Sequence, residues 1–227
     1  MRDREPIEKI SVPRLDLIDP VEHAGFLNSR SAEVAEEEVS SKEIQWIIDE
    51  MLRMAAGKGK DGEDTRQMVG LAAPQVGQSK RIITIDVTAT GANQEQHLLP
   101  IINPRISMHG EKQVDGREGC WSCANYCANV PRFDHIELEG WDRNGAPIQL
   151  TLDGFVARIA QHEVDHIDGF VVLIVFRRTN HGGYTAYCRA SSNAIGQSGR
   201  TGRPHSHAKS GMRFERANAN LSKCGCC

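Results

Sequence analysis

No stretch of this chain approaches the ~18 consecutive apolar residues that a membrane-spanning helix requires, so the sequence offers no candidate span. The first residues, MRDREPIEKI, lack the apolar run of a secretory signal and are too acidic for an organelle transit peptide. A strong charge of either sign is missing as well. Lys and Arg number 27 against 30 Asp and Glu, a net of −3, which gives no reason to expect nucleic acid or an acidic membrane surface as the main partner. A disulfide framework is also not expected, because there is no signal peptide and the 7 cysteines are an odd number. Thiols in such a chain point to metal binding or catalysis. The reading is of a soluble, intracellular, cytoplasmic protein, with a mitochondrion or plastid as the alternative.

Large aliphatic residues fail in one region. From Thr179 to Cys227 only Ile195, Met212 and Leu221 occur, and the basic residues there face a single acidic one, Glu215. A segment of that composition cannot bury enough apolar surface to offset its ordering entropy, so 179–227 is expected to be a disordered basic tail. Residues 1–40 show little periodicity and read as an N-terminal extension. The patterned body is 41–178.

Within that body the signals are local and clear. SKEIQWIIDEMLRMAA places Ile44, Ile47, Ile48, Met51, Leu52 and Met54 at helical spacing, with Ser41 at its start and Gly57 at its end. GKGKDGED reads as a flexible loop and RIITIDV as a strand. HLLPIINPRISM, with two prolines, reads as a short strand followed by an irregular or edge strand. HIELEGWDRNGAPIQLTL reads as a hairpin turning at Asn144-Gly145. FVARIAQHEVDHID has helical spacing and stops at Gly169, and VVLIVF is a short apolar strand.

Three stretches carry chemistry. In QHEVDHIDG, His162 and His166 are four apart, so on a helix both can reach one metal ion. Glu163, beside a ligand, can serve as a base toward water. Unrelated metal hydrolases share this pattern. A catalytic site needs a third protein ligand and an open position. Cys120 in GREGCWS would complete a Cys-His-His set; the rival is a structural site built from Cys120, Cys123 and Cys127 with one histidine. Otherwise Cys123 and Cys127 read as small, half-buried thiols. In VGLAAPQVG, the small residues permit close backbone approach, and the Gln75 amide could donate to an oxyanion; a tight Gly/Ala turn before the next strand explains the same residues.

Taken in order, VGLAAPQVG, EGCWS and QHEVDHIDG resemble the three motifs of the peptide deformylase family, with INPRI, VPR and DGFVARI similar between them. The resemblance covers about residues 41–178. It implies an α+β fold: compact antiparallel sheets around a central metal-binding helix. It implies an enzyme that removes the N-formyl group from the initiator methionine of new polypeptides and releases formate. Cys120, His162 and His166 would hold one divalent metal ion, with Fe(II) the family's usual choice and Zn, Ni or Co as substitutes. Glu163 would be the general base, and Gln75 with the backbone N–H of Trp121 would hold the oxyanion. Gly70 would meet the substrate main chain, and Val69, Phe155 and Ile159 would line a methionine pocket. Glu118 and Arg132 would pair, buried or exposed, and orient the Cys120 segment. The implied partners are N-formylmethionyl peptides or nascent chains, with a ribosome contact compatible, and a monomer is expected. Two other functions fit fewer residues: a zinc peptidase using HEVDH, and a catalytically weak relative acting as a binding protein. The chain departs from the family pattern at several residues: Met68 stands where Gly is usual, Trp121 where Leu is common, and Cys123-Ala124 where an aliphatic residue and Pro follow the Ser.

Overall fold

A computed structural model describes residues 14–20, 22–90, 95–123 and 126–170, together with two-residue strands at 177–178, 184–185 and 215–216. Side chains at 123–128 lie outside the described residues, as do the expected strand VVLIVF and most of the basic tail.

The segment before the body packs onto it. Leu15, Leu27, Val34 and Val39 are all buried, and helix α1 (Ala24–Leu27) is one short turn among them. Helix α2 (Lys42–Ala55) begins where Ser41 accepts a hydrogen bond from the Ile44 N–H at 3.3 Å, the N-cap its sequence suggests. It ends at Gly57, whose φ of 75° is easiest for a residue without Cβ. Of the expected stripe, Ile44, Ile47, Ile48, Met51 and Met54 are buried, and Leu52 packs at its margin, partly buried.

The main strands are β1 (Gly70–Ala72), β2 (Ile82–Asp86), β3 (Leu98–His109), β4 (Gln113–Gly119), β5 (Tyr126–Phe133), β6 (His135–Trp141) and β7 (Pro147–Asp153). Helix α3 (Gly154–Ile167) follows β7 directly. Strands β1, β2, β3, β6 and β7 form one antiparallel sheet in that order. Strands β4 and β5 form a separate antiparallel hairpin, bordered by β10 (Glu215–Arg216). Strands β8 (Arg177–Arg178) and β9 (Tyr184–Thr185) pair with each other.

Strand period then decides which helix meets which face. Leu71, Ile82 and Ile102 point to the cluster built on α2. Their neighbours Ala72, Ile83 and Ile101 point to the cluster built on Ala157, Ala160, Val164 and Ile167 of α3. The five-stranded sheet therefore separates two apolar cores, and α3 is fixed against one face of it. The β6–β7 turn closes as its sequence suggests. Asp142 Oδ1 accepts from the N–H groups of Asn144 and Ala146, both at 2.8 Å, and Gly145 takes a φ of 84°.

HLLPIINPRISM behaves as its two prolines suggest, a short regular strand followed by an irregular one, although both parts belong to β3. Strand β2 pairs with 98–102 and β6 with 102–109, with register shifts between Ile102 and Arg105 and between Ile106 and Met108. Both prolines are accommodated. Pro100 precedes the first β6 pairing, Ile102 with Trp141, so its missing N–H costs no bond on that side. Pro104 falls where the register shifts between Ile102 and Arg105. Asn103 sits at that shift with φ 50°, held because its side chain bonds both the N–H and the C=O of Val34.

Ile83 has no exposure and faces the α3 core. Ile83→Ala is expected to cost about 2–5 kcal/mol through lost transfer energy and the cavity left behind. Urea denaturation checks it: the midpoint should fall with the slope unchanged.

Candidate metal centre

Helix α3 presents three stripes, each set by the i, i+4 and i+3 neighbours of its surface. Ala157, Ala160, Val164 and Ile167 enter the core. Phe155, Ile159 and Glu163 line a cavity with Val69, Glu118, Arg158 and His162. Arg158, His162, Asp165 and His166 face the β4–β5 hairpin, which they meet through hydrogen bonds or contacts at close range. Gly169, at φ 79°, ends the helix and lets the chain pass close to the Asn28 carbonyl.

Cys120 follows the last residue of β4. Its thiol is buried with the two imidazoles, and the three potential donor atoms lie within 4.8 Å of one another. Cys120 Sγ is 3.3 Å from His166 Nε2, which is 3.2 Å from His162 Nε2. His162 Nδ1 is 3.0 Å from Glu118 Oε2. That bond fixes the tautomer with its proton on Nδ1 and leaves the Nε2 lone pair turned toward the other donors. One thiolate and two neutral imidazoles facing a common point form a donor set suited to a borderline divalent ion. Burial works against the ionised thiol. The electrostatic influence of His166 and His162 beside it outweighs that burial and holds Cys120 well below the ordinary thiol range.

Glu163 stands on the cavity side of His162. Its carboxylate is buried, and Oε2 has no hydrogen-bond partner among the described residues. Desolvation pushes it up to about 7, against the pull of the neighbouring histidines. Such a group can hold a proton at neutral pH and release it again. Space for it comes from Gly70: a Cβ there would stand 2.3 Å from Glu163 Oε1 and 2.9 Å from Ile159 Cγ2. Gln75 is oriented by its own carbonyl oxygen, which accepts from the Ala72 N–H at 2.9 Å. Its amide Nε2 then points at the centre, 3.6 Å from Cys120 Sγ and 3.3 Å from Ser122 Oγ.

Behind the ligands lies a network of buried charge. Arg132 on β5 donates to both oxygens of Glu118, at 2.9 and 3.0 Å, and to Asp165 Oδ2 at 2.5 Å. Arg158 donates to Glu118 Oε1 at 2.7 Å. Burial opposes ionisation of Glu118, yet the His162 and Arg132 hydrogen bonds hold it far below the usual carboxylate range. Arg132 is driven upward, since the Asp165 and Glu118 charges overcome its desolvation.

The sequence reading named Glu118 with Arg132 as a pair, and they meet with both side chains 4% exposed. It also named every residue around the cavity except Arg158. Asp165 and Ser122 were likewise missed. A lone Arg in the apolar run FVARIA, one helical turn before His162, was the available signal for Arg158. Asp165 and Ser122 gave none. Met68 is buried at an ordinary φ, since Asn103 is the only non-glycine with positive φ among the described residues. The turn before Val69 thus keeps its course without glycine. Trp121 packs on the α2 core, with the Arg66 guanidinium 5.6 Å from its ring centroid.

Comparison with known proteins agrees with this geometry. The sequence pattern of the Polypeptide deformylase family matches residues 18–180, a span that begins inside the N-terminal extension. A "Peptide deformylase" of Thermodesulfovibrio yellowstonii is 39% identical over 105 residues, which cover 46% of this chain and 62% of that protein. "Peptide deformylase 1A, chloroplastic" of Solanum lycopersicum is 37% identical over 163 residues, covering 66% of this chain and 54% of that protein. The chain thus spans less than two thirds of the length of these two relatives. Among solved structures, a class I type b peptide deformylase from Acinetobacter baumannii superposes with a TM-score of 0.60 at 28% identity, over 70% of this chain and 95% of that one.

Removing one partner of a buried ion network leaves the others as uncompensated charges. Arg132→Ala removes the donor that Glu118 and Asp165 share and is expected to destabilise the fold by about 3–5 kcal/mol. Chemical denaturation of the variant beside the parent chain measures this. A loss below about 1 kcal/mol, the range of an exposed pair, would contradict the buried network.

Proposed function

This chain belongs to the Polypeptide deformylase family, and from that premise we propose that it is a metal-dependent hydrolase that removes the N-formyl group from N-formylmethionyl peptides and releases formate. The observation that supports this best is the convergence of a hairpin thiol on two helix imidazoles beside a buried, proton-holding carboxylate. A zinc peptidase would need neither Cys120 nor Gln75, yet Cys120 stands against His166 and the Gln75 amide points at Cys120.

Cys120, His162 and His166 would hold one divalent ion, Fe(II) in the first instance, with Zn, Ni or Co as substitutes. When bound there, the ion supplies positive charge that polarises a carbonyl and makes water acidic near neutrality. The protein's own groups do the rest. Glu163 takes a proton from the attacking water as its oxygen bonds to the formyl carbon. The Gln75 amide and the Trp121 backbone N–H donate to the oxygen on which negative charge develops. Glu163 then passes its proton to the amine nitrogen as the C–N bond breaks, so formate and a free N-terminus leave together. The raised proton affinity of Glu163 suits both transfers near pH 7. Gly70, beside Glu163 and Ile159, is the main-chain partner for the substrate. The cavity at Val69, Phe155 and Ile159 takes the methionine side chain.

The same reading divides the chain into an extension at 1–40, a catalytic body at 41–178 and a basic tail at 179–227. It takes the protein to act as a monomer on nascent chains, with the ribosome as a contact. The cytoplasm is its proposed compartment. The names of plant relatives, chloroplastic in tomato and chloroplastic/mitochondrial in Arabidopsis thaliana, carry the organelle alternative. Among the described residues no helix is long and apolar enough to cross a membrane.

Formate release from a formyl-Met tripeptide, by protein purified without oxygen and loaded with ferrous iron, tests the reading. Glu163→Ala should keep its metal and its fold and lose activity by several orders of magnitude, more than the ~10²–10⁴-fold of a general base alone because both proton transfers fail. Cys120→Ala should lose metal and activity together. Near-full activity in Glu163→Ala would remove the general-base role.

A further inference from the structure

The three donors of the metal centre come from two units joined by few covalent constraints: two from α3 and one from the end of the β4–β5 hairpin. Something must hold the hairpin at ligand distance from the helix. Arg132 does this at one end, reaching Asp165 in the last turn of α3. The other end is held differently. Arg158, one turn before His162, extends from the helix across the hairpin. Its Nη2 donates to the Val114 carbonyl at 2.5 Å; its Nη1 is 2.7 Å from the Val130 carbonyl, 3.4 Å from the Gly116 carbonyl and 2.7 Å from Glu118 Oε1. One side chain therefore touches both strands of the hairpin and the carboxylate that orients His162.

The guanidinium has room for this only because residue 116 has no side chain. A Cβ on Gly116 would stand 2.5 Å from Arg158 Cζ, 2.6 Å from Nη2 and 2.7 Å from Nε. Gly116 is not among the positive-φ glycines, so its backbone conformation does not itself call for glycine. Its value lies in the space it leaves.

We propose that Gly116 and Arg158 form a lock that holds the β4–β5 hairpin, and with it Cys120, in place against the histidines of α3. Both are positioning residues. With Arg132 they clamp the helix at 158 and 165, on either side of His162. The lock rests on the metal reading of Cys120, His162 and His166 given above.

The test uses the full chain and Co(II), whose thiolate-to-metal charge-transfer band reports on the Cys120 bond and whose affinity is read by competition with a chelator. Gly116→Ala pushes the guanidinium aside without altering any ligand. Arg158→Met keeps an unbranched stem but removes the donors. Each variant is expected to keep its far-ultraviolet circular dichroism, to bind Co(II) about tenfold to a hundredfold more weakly, and to show a weakened or shifted charge-transfer band. Arg105→Met, which breaks an exposed pair with Glu139 on the other sheet, should change neither. If Arg158→Met does not fold, Gly116→Ala decides alone. Affinity within twofold of the parent and an unchanged band in Gly116→Ala would overturn the lock, even if Arg158→Met binds weakly. A parent chain that takes up no Co(II) would overturn the metal reading itself, and the lock with it.

Discussion

Glu118 carries a full negative charge at a position 3% exposed, among two arginines and a histidine that all bond to it. A carboxylate removed from water is costly unless its lone pairs are filled by well-placed donors, and here three side chains fill them. Each donor has a second duty. Arg132 holds Asp165, Arg158 holds the hairpin main chain, and His162 offers its other nitrogen to the metal centre. The hairpin, the helix and the tautomer of a ligand are thus set by one buried charge. Without it, Arg158 would lose its carboxylate partner, Arg132 would keep only Asp165, and His162 would lose the acceptor that fixes its ring.

The five-stranded sheet makes that arrangement affordable. With apolar side chains on both faces, it separates the α2 core from the α3 core and leaves α3 with its small residues, Ala157 and Ala160, against the strands. Close packing on one stripe turns the polar stripes toward the hairpin and the cavity. The cavity beside Glu163 gains a dry floor from this. Glu163 is desolvated enough to share a proton near neutrality, while Glu118, equally buried but with donors on every side, stays ionised. The two carboxylates differ in proton affinity because of their partners and not because of their depth.

Much of this was legible in the residues. The start of α2 at Ser41, the turn at Asn144-Gly145 and the stop at Gly169 are where short-range rules place them. The pair His162 and His166 needs only helical spacing to share a face. The two prolines of HLLPIINPRISM announced an irregular strand, but only its partners show where the pairing changes, from β2 to β6 at Ile102. Arg158 went unnoticed for a related reason. A single arginine in an apolar helical run has no meaning until the acceptors 28 to 44 residues away are known.

The sequence by itself determined the helix that carries HEVDH, the strand RIITIDV, the hairpin that turns at Asn144-Gly145 and, through three ordered motifs, the family, but not the β4–β5 hairpin that brings Cys120 in. These depend on periods of two and 3.6 residues and on turn chemistry, which act over a few positions. Only the tertiary structure decided that Cys120, 42 residues from His162 along the chain, stands 3.3 Å from His166, and that Gln75 points to the same place. It also decided which carboxylate would hold a proton and which would not. Those outcomes depend on burial and on charge partners from distant strands, and a linear pattern carries neither until the chain has folded.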